Sequence, residues 1–535
     1  MSTRRVGVQV PLFSCRSSRG WGIGELTDIV PMSEWLASAG FSQLLLLPLG
    51  TIRDGDTSPY SATSTLAIDP IYITLDAVPD FVHEGGVAKL SPDARSALMS
   101  ARGSSAVRHD LVRRAKLEAL GVAFSSFLAE EWEQHTTRAA ALAVYIARER
   151  WWLDDYALFV VLARSMPGVS WQQWPAALRD REPAALDEAR RQMGREVLEQ
   201  QYFQWMAEDQ WSRSRKAAAA LGVRLVGDLP FVANTESPEV WSRPEDFRLD
   251  VSCGVPPDAF SDTGQDWGLP TYWWEEIART GYASVRLRAR RMSALYDGLR
   301  VDHVIGLYRT YGRPRDGEPF FNPSDAPSQL AQGEAVLTVL KAAGLELIAE
   351  DLGVVPDFLR PSLARLGIPG CKVMRWERDW HAPGSPFVDP DTYPALSAAM
   401  TGTHDTEPLA LWWACAPHDE RAALVALPFF AAHGAADPDQ PWTGRLGDLL
   451  AMLAYRSGSD ELFLPIQDVF GWPDRVNTPG TVGPENWTWV LPWPVDAFGD
   501  QPEAVRRAAF FADLSRATRR VGTSDYTSGP AAATS

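Results

Sequence analysis

Eight short apolar runs, most of them separated by helical stretches, constrain the fold of this chain more than any other feature. They cover residues 6–10, 43–47, 224–227, 298–301, 345–349, 371–376, 400–403 and 462–466. Each is too short for a helix and is bounded by Gly, Pro or polar residues, which is the pattern of a strand buried on both faces. Eight such strands with helical connectors predict an α/β fold, a (β/α)8 barrel. The connectors agree. Val285, Ala289, Met292, Leu295 and Tyr296 share one helical face before Gly298, and Val336, Val339 and Leu340 precede a helix stop at Gly344. Arg286, Arg288, Arg290 and Arg291 lie mostly off that face and are expected on a solvated exterior.

The spacing of the runs is uneven. The stretch at about 84–211 is rich in Ala, Arg, Glu and Leu and predicts a helical insertion; 230–280 is dense in Pro, Gly and aromatic residues and is expected to be loop-rich; 408–458 is expected to be helical, with a break at 433–442. Long insertions of this kind are tolerated between barrel elements and often wall the active site. The expected organisation is one catalytic barrel over 1–522 and a small, polar, disordered tail over 523–535.

In such a barrel the functional groups sit at the C-terminal strand ends. Those ends carry Asp228, Arg300, Asp302, Glu350, Asp351, Lys372, Arg375, His404, Asp405, Gln467 and Asp468. Three acids stand out because each closes an apolar run: Asp302, Glu350 and Asp405. Charge at the tip of a buried strand is costly unless paired or used. Two carboxyls about 5–5.5 Å apart can act as nucleophile and acid/base in retaining glycosyl transfer, and neighbouring strands about 4.8 Å apart deliver that separation. Arg300 and His303 flank Asp302, so a nearby cation is expected to keep it ionised. Glu350 follows Leu347-Ile348-Ala349, whose apolar surround is expected to raise its pKa.

The net charge of −17 and pI near 5.0 argue against nucleic acid or an anionic membrane as partner. No run approaches the length of a membrane span, and the first apolar stretch breaks at Pro11, too early for a signal peptide. Cys15, Cys253, Cys371 and Cys415 form no Cys-x-x-Cys pair and fit a reducing, cytoplasmic setting. The eight His form no metal-binding motif, so no metal is expected. Twenty-two Trp is high for this length. Those in loop regions (Trp21, Trp241, Trp267, Trp273, Trp274, Trp412, Trp413, Trp487 and Trp489) are candidates either for packing or for stacking on sugar rings, with Trp267 the expected sugar contact.

Several motifs, in order, resemble the amylomaltase or disproportionating-enzyme family of 4-α-glucanotransferases, glycoside hydrolase family 77. They include Ser58-Pro59-Tyr60 with Asp69-Pro70, Trp152-Leu153-Asp154-Asp155-Tyr156, Gly227-Asp228-Leu229-Pro230, Gly254-Val255-Pro256-Pro257-Asp258, Arg300-Val301-Asp302-His303, Ala349-Glu350-Asp351, Gly402-Thr403-His404-Asp405, and Asn477 with Pro479-Gly480. The resemblance implies Asp302 as nucleophile, Glu350 as acid/base and Asp405 as the third carboxylate. It implies sugar contacts from Arg300, His404, Tyr60, Asp228, Trp267, His303 and Asn477, with maltooligosaccharides as donor and acceptor and no cofactor. The rival readings are an α-glucan hydrolase with the same acids and a non-catalytic glucan-binding protein. The chain departs from the family pattern at Ala259, usually aromatic, and Leu269, usually Asn. It also departs at Ser61-Ala62-Thr63, at Thr406-Glu407 (usually Asn-Asp), and in a shortened loop before Gly254.

Overall fold

Eight parallel strands close into a barrel. In chain order they are β1 (Arg5–Gln9), β2 (Gln43–Leu46), β3 (Arg224–Leu229), β4 (Gly298–Val301), β5 (Glu346–Ala349), β6 (Gly370–Val373), β7 (Ser397–Met400) and β8 (Glu461–Pro465). Each pairs with its sequence neighbour, and β1 closes on β8. The structure is a computed structural model and describes residues 4–257 and 263–520.

Inside the barrel, Leu45, Val226, Ile348, Cys371, Val373, Ala398, Met400 and Phe463 form a core of their own, separate from the much larger one between strands and helices. The barrel is therefore a packed plug with its working surface at one end. Close packing fixes small residues within it. A Cβ on Gly7 would lie 2.7 Å from the Phe463 ring and 2.8 Å from Cβ of Gln43, so only glycine lets that ring fill the interior.

Two strands are displaced from the sequence reading. The seventh is Ser397–Met400 rather than 400–403. Ser397-Ala398-Ala399 carries no β-branched or aromatic signal, and it forms a strand because small side chains fit where β6 and β8 already fill the barrel. The sixth ends at Val373, and Met374–Trp376 is a single 3-10 turn. Lys372, between the interior residues Cys371 and Val373, faces the outer side, where it pairs with Glu377 at 2.9 Å; it is not part of the rim cup.

The excursion expected to be loop-rich contains two antiparallel strands, Phe247–Val255 and Gln265–Tyr272. They join Thr310–Pro314 and Phe320–Asn322 in a four-stranded side sheet beside the barrel mouth. The four arginines expected on a solvated helix exterior divide. Arg291 is buried, donates to Glu208 at 2.6 Å and lies over the Trp152 ring. Arg288 donates to the carbonyls of Pro230 and Phe231, which holds the chain just after β3.

Helices Pro92–Arg102, His109–Phe127, Thr137–Ser165 and Gly194–Ala220 are the long elements of the chain between β2 and β3. Buried ion pairs fasten them to the barrel loops. Lys116, fully buried, donates to Glu25 at 2.6 Å and to the Ile73 carbonyl at 2.8 Å, while Arg113 grips Asp69 at 2.7 Å. Among the described residues no helix is long and apolar enough to cross a membrane.

Removing one member of a buried pair leaves the other charge without compensation. Lys116→Met is expected to lower the free energy of unfolding by about 3–5 kcal/mol, and Glu25→Leu added to it should recover most of the loss. Urea denaturation of the two variants checks this; a single variant as stable as the parent would contradict it.

Candidate active site

Strands β4 and β5 run in register, with Arg300 opposite Ile348 and Val301 opposite Ala349. Asp302 and Glu350 are the next residues on each strand, so the two carboxyls leave adjacent strands at the same height. The backbone reinforces this. The Glu350 N–H donates to the Val301 carbonyl at 3.1 Å, and the Asp302 N–H donates to the Leu229 carbonyl at 3.1 Å. His303 then adopts a φ of 46°, a left-handed conformation that residues with a side chain seldom take. That kink ends β4 directly after Asp302 and turns the His303 N–H onto Glu350 Oε2 at 2.7 Å.

Arg300 lies one rung below and is 3% exposed. Its Nη1 donates to both Asp228 oxygens at 2.8 and 2.6 Å and to Asp302 Oδ1 at 3.0 Å. The expected cation is therefore in contact with Asp302, but it does not set the outcome alone. Burial pushes the Asp302 carboxyl up to about 6, against the pull of Arg300. Burial pushes Glu350 further, to about 8, with Arg300 again opposing and the Asp302 charge adding to the rise. The two carboxyls share one cation, and the one that touches it is the stronger acid.

Asp405 approaches from the far side of the mouth, in the turn after β7. It is held below the usual carboxylate range, at about 2: burial works against ionisation, but His404, Asn477 and Arg300 outweigh it. Asn477 Nδ2 donates to Asp405 Oδ1 at 2.6 Å, and His404 Nε2 lies 3.3 Å from Oδ2. Tyr60 spans the opening between the two sides. Its hydroxyl donates to Asp228 Oδ2 at 2.8 Å, and its ring stacks on His404 with centroids 5.0 Å apart. Asp228, Arg300, Asp302, His404, Asp405, Tyr60 and Asn477 thus form one connected polar cup, and Glu350 joins it through the His303 N–H.

Gln9 belongs to this cup and was not singled out from sequence. It sits 3.1 Å from His404 Nδ1 through its Nε2 and fixes the imidazole from below. Its signal was present: Gln9 is the one polar residue in the apolar run 6–10. Other rim residues brace the strands. Asp351 takes the Cys371 N–H at 2.7 Å and Arg360 at 2.9 Å, and Asp468 takes Thr401 Oγ1 at 2.5 Å and the Leu409 N–H at 2.6 Å. Among the described residues no cluster of metal-ligating side chains is present.

Aromatic rings wall the cup. Trp267, in the strand Gln265–Tyr272, meets His303 edge-on with centroids 4.9 Å apart, and Phe231 meets the same imidazole at 5.7 Å. Enclosed in this way, His303 has its pKa lowered to about 4 by burial, with Arg309 adding to the effect, and it stays neutral at neutral pH. Trp487 lies against both Tyr60 and His404. Trp21, Trp241, Trp274, Trp412 and Trp413 are core residues, whereas Trp273 is 47% exposed. Leu269 pairs with Cys253 across the hairpin and packs partly on the core. Ala259, Asp258 and Asp262 lie outside the described residues.

Glu350 should carry its proton at neutral pH. In infrared difference spectra of the parent against Glu350→Gln, a protonated-carboxyl band should be present at neutral pH and fade as the pH rises through about 8. Only an ionised-carboxylate band at neutral pH would contradict the assignment.

Comparison with known proteins agrees with this architecture. The family described as 4-alpha-glucanotransferase matches residues 10–495. The chain is 32% identical over 496 residues to a 4-alpha-glucanotransferase of Thermus thermophilus, covering 88% of this chain and 92% of the relative. It is 30% identical over 494 residues to one of Chlamydia caviae, covering 91% and 90%. It also resembles the amylomaltase from Streptococcus agalactiae solved in complex with acarbose, with a TM-score of 0.80 and 25% identity over 97% of this chain and 100% of that one. The chain therefore belongs to the 4-alpha-glucanotransferase family and is an enzyme of α-1,4-glucan transfer.

Proposed function

We propose that the cup moves α-1,4-glucan segments between maltooligosaccharides by a retaining double displacement, with Asp302 as nucleophile and Glu350 as acid/base. The observation that carries this reading is the placement of the two carboxyls on matching rungs of adjacent strands, with proton affinities pushed apart to about 6 and about 8. Between those values Asp302 is ionised and Glu350 is protonated.

Ionised Asp302 attacks the anomeric carbon while the Glu350 proton passes to the departing 4-oxygen. The C–O bond of the donor breaks, its electron pair stays with the leaving oxygen, and the donor sugar becomes an ester on Asp302. Glu350, now an anion, removes the proton from the 4-hydroxyl of a second glucan as that oxygen attacks the same carbon. The new glycosidic bond displaces the Asp302 carboxylate, and Glu350 ends protonated as it began. Each displacement inverts the centre, so the α configuration is kept. Asp405, ionised throughout, faces the positive charge that develops on the sugar ring. Tyr60, Arg300, His303, His404, Trp267 and Asn477 are the sugar-facing groups of this reading; the expected contact from Asp228 is replaced by a supporting role, since its buried carboxylate is taken up by Arg300 and Tyr60.

The same reading places the enzyme in the cytoplasm, which its four unpaired cysteines favour. The catalytic unit is a single barrel whose insertions wall the mouth.

Incubation with maltotriose tests the reaction. A transferase yields glucose together with longer maltodextrins, whereas shorter products alone would indicate hydrolysis and no turnover would indicate a binding protein. Asp302→Asn should lower the rate by roughly a thousandfold or more. The pH profile of kcat/KM should rise through about 6 as Asp302 ionises and fall through about 8 as Glu350 loses its proton. A rate still climbing well above the upper value would remove Glu350 from the general-acid role.

A further inference from the structure

Asp302 and Glu350 are placed by strands, but Asp405 is not. It follows the end of β7 by several residues and sits on a turn, and a carboxylate that must face a developing charge needs that turn held still. The turn is closed from within. The Thr406 hydroxyl accepts from the Thr403 N–H at 2.9 Å and donates to the Thr403 carbonyl at 3.1 Å, while the Asp405 N–H donates to Thr403 Oγ1 at 3.2 Å. Gly402 leaves room for this closure, since a Cβ there would lie 2.6 Å from Thr406 Oγ1.

The turn is also held from behind. Arg475, in the loop after β8, donates to the Asp405 carbonyl at 2.7 Å and to the Asn477 carbonyl at 3.0 Å. Its remaining nitrogen meets Glu407. Glu407 in turn accepts from Arg375 at 2.6 Å, and its carbonyl takes a second Arg375 nitrogen. Arg375 is 7% exposed and lies beneath the Trp412 ring. Asn477 closes the ring by donating to Asp405 Oδ1 at 2.6 Å. Loops from three strand ends therefore meet at one carboxylate, that of Glu407.

We infer that Glu407 and Arg475 are positioning residues for the third carboxylate: Glu407 fixes the Arg475 guanidinium, and Arg475 sets both the Asp405 backbone and the Asn477 amide that grips its side chain. The guanidinium fork is essential to this. It serves Glu407 and two carbonyls at once in one plane, which a lysine ammonium on a flexible stem cannot do. The Glu407 carboxylate reaches arginines from two loops at once. The role does not require either residue to touch substrate.

The kinetic part of the test rests on the transfer reading above, and maltotriose disproportionation by the parent enzyme is its control. Glu407→Gln and Arg475→Lys should each lower kcat by about tenfold or more with KM within about twofold of the parent, because misplacing a transition-state group by a fraction of an ångström costs rate rather than ground-state binding. Arg475→Lys should be the more severe. In an Asn477→Ala background, adding Glu407→Gln should cost less than about twofold further, since both changes release the same carboxylate. Additive losses would mean that Glu407 acts only on general stability, and unchanged kcat in folded Glu407→Gln would overturn the inference outright. A measurement independent of activity accompanies these. Hydrogen exchange of the Thr478 and Trp487 amides, which donate to Asn486 and Val476 in the same loop, should quicken in Glu407→Gln. Unchanged exchange there would overturn the inference even if the parent enzyme turned over no glucan.

Discussion

One guanidinium makes this site possible. Arg300 stands among carboxylates, bonded to Asp228 and Asp302 and within electrostatic reach of Glu350. Its own charge is secured by these same acids, which hold its pKa well above the usual arginine value in spite of burial. Without it, Asp228 and Asp302 would lose the cation that contacts them both in the mouth of a packed barrel. Breaking a buried pair of this kind costs about 3–5 kcal/mol. With it, the charge is divided unequally: Asp302 is in contact with the cation and Glu350 is not. Burial raises both groups; contact with Arg300 restrains Asp302, and the Asp302 charge raises Glu350 further, which separates the roles of two chemically similar groups.

Arg300 holds Asp302 and Asp228 because of strand register. The pairing of Asp228 with Arg300 across β3 and β4, and of Arg300 with Ile348 across β4 and β5, sets three strand tips at nearly one height. The far side of the mouth is built differently. Asp405 and Asn477 come from loops, and Tyr60 comes from the chain after β2 and bridges to His404. One half of the cup is thus specified by the sheet, the other by side-chain contacts between loops. Insertions around the barrel supply the aromatic wall and are fixed to it by buried pairs such as Lys116 with Glu25.

Much of this was legible in the residues. Eight apolar runs marked the eight staves, and Asp302, Glu350 and Asp405 stood out because charge at a strand tip is costly without a purpose. What escaped was carried by weaker local signals. Strand β7 is Ser and Ala up to its last residue, Met400, and the β-preference of those residues is slight, so its neighbours make it a strand. The side sheet escaped because its strands are split by the Pro- and Gly-rich stretch from 256 to 264, which reads as loop. The inward turn of Arg291, the outward turn of Lys372 and the part of Gln9 beneath His404 depend on which face each residue takes. For Gln9 and Lys372 a one-residue alternation decides that, and the neighbouring strand fixes it; for Arg291 it is Glu208 and the Trp152 ring that draw the side chain inward from its helix. The rise in the Asp302 pKa likewise follows from burial, which the flanking Arg300 and His303 did not reveal.

In the mechanism proposed, Asp302 becomes bonded to sugar. A fluorosugar maltosyl donor that forms the ester readily and loses it slowly, applied to Glu350→Gln and followed by peptide mass spectrometry, tests this most directly. One glycosyl adduct is expected, on the peptide containing Asp302. An adduct on Asp405, or turnover with no adduct and an inverted product, would contradict the mechanism.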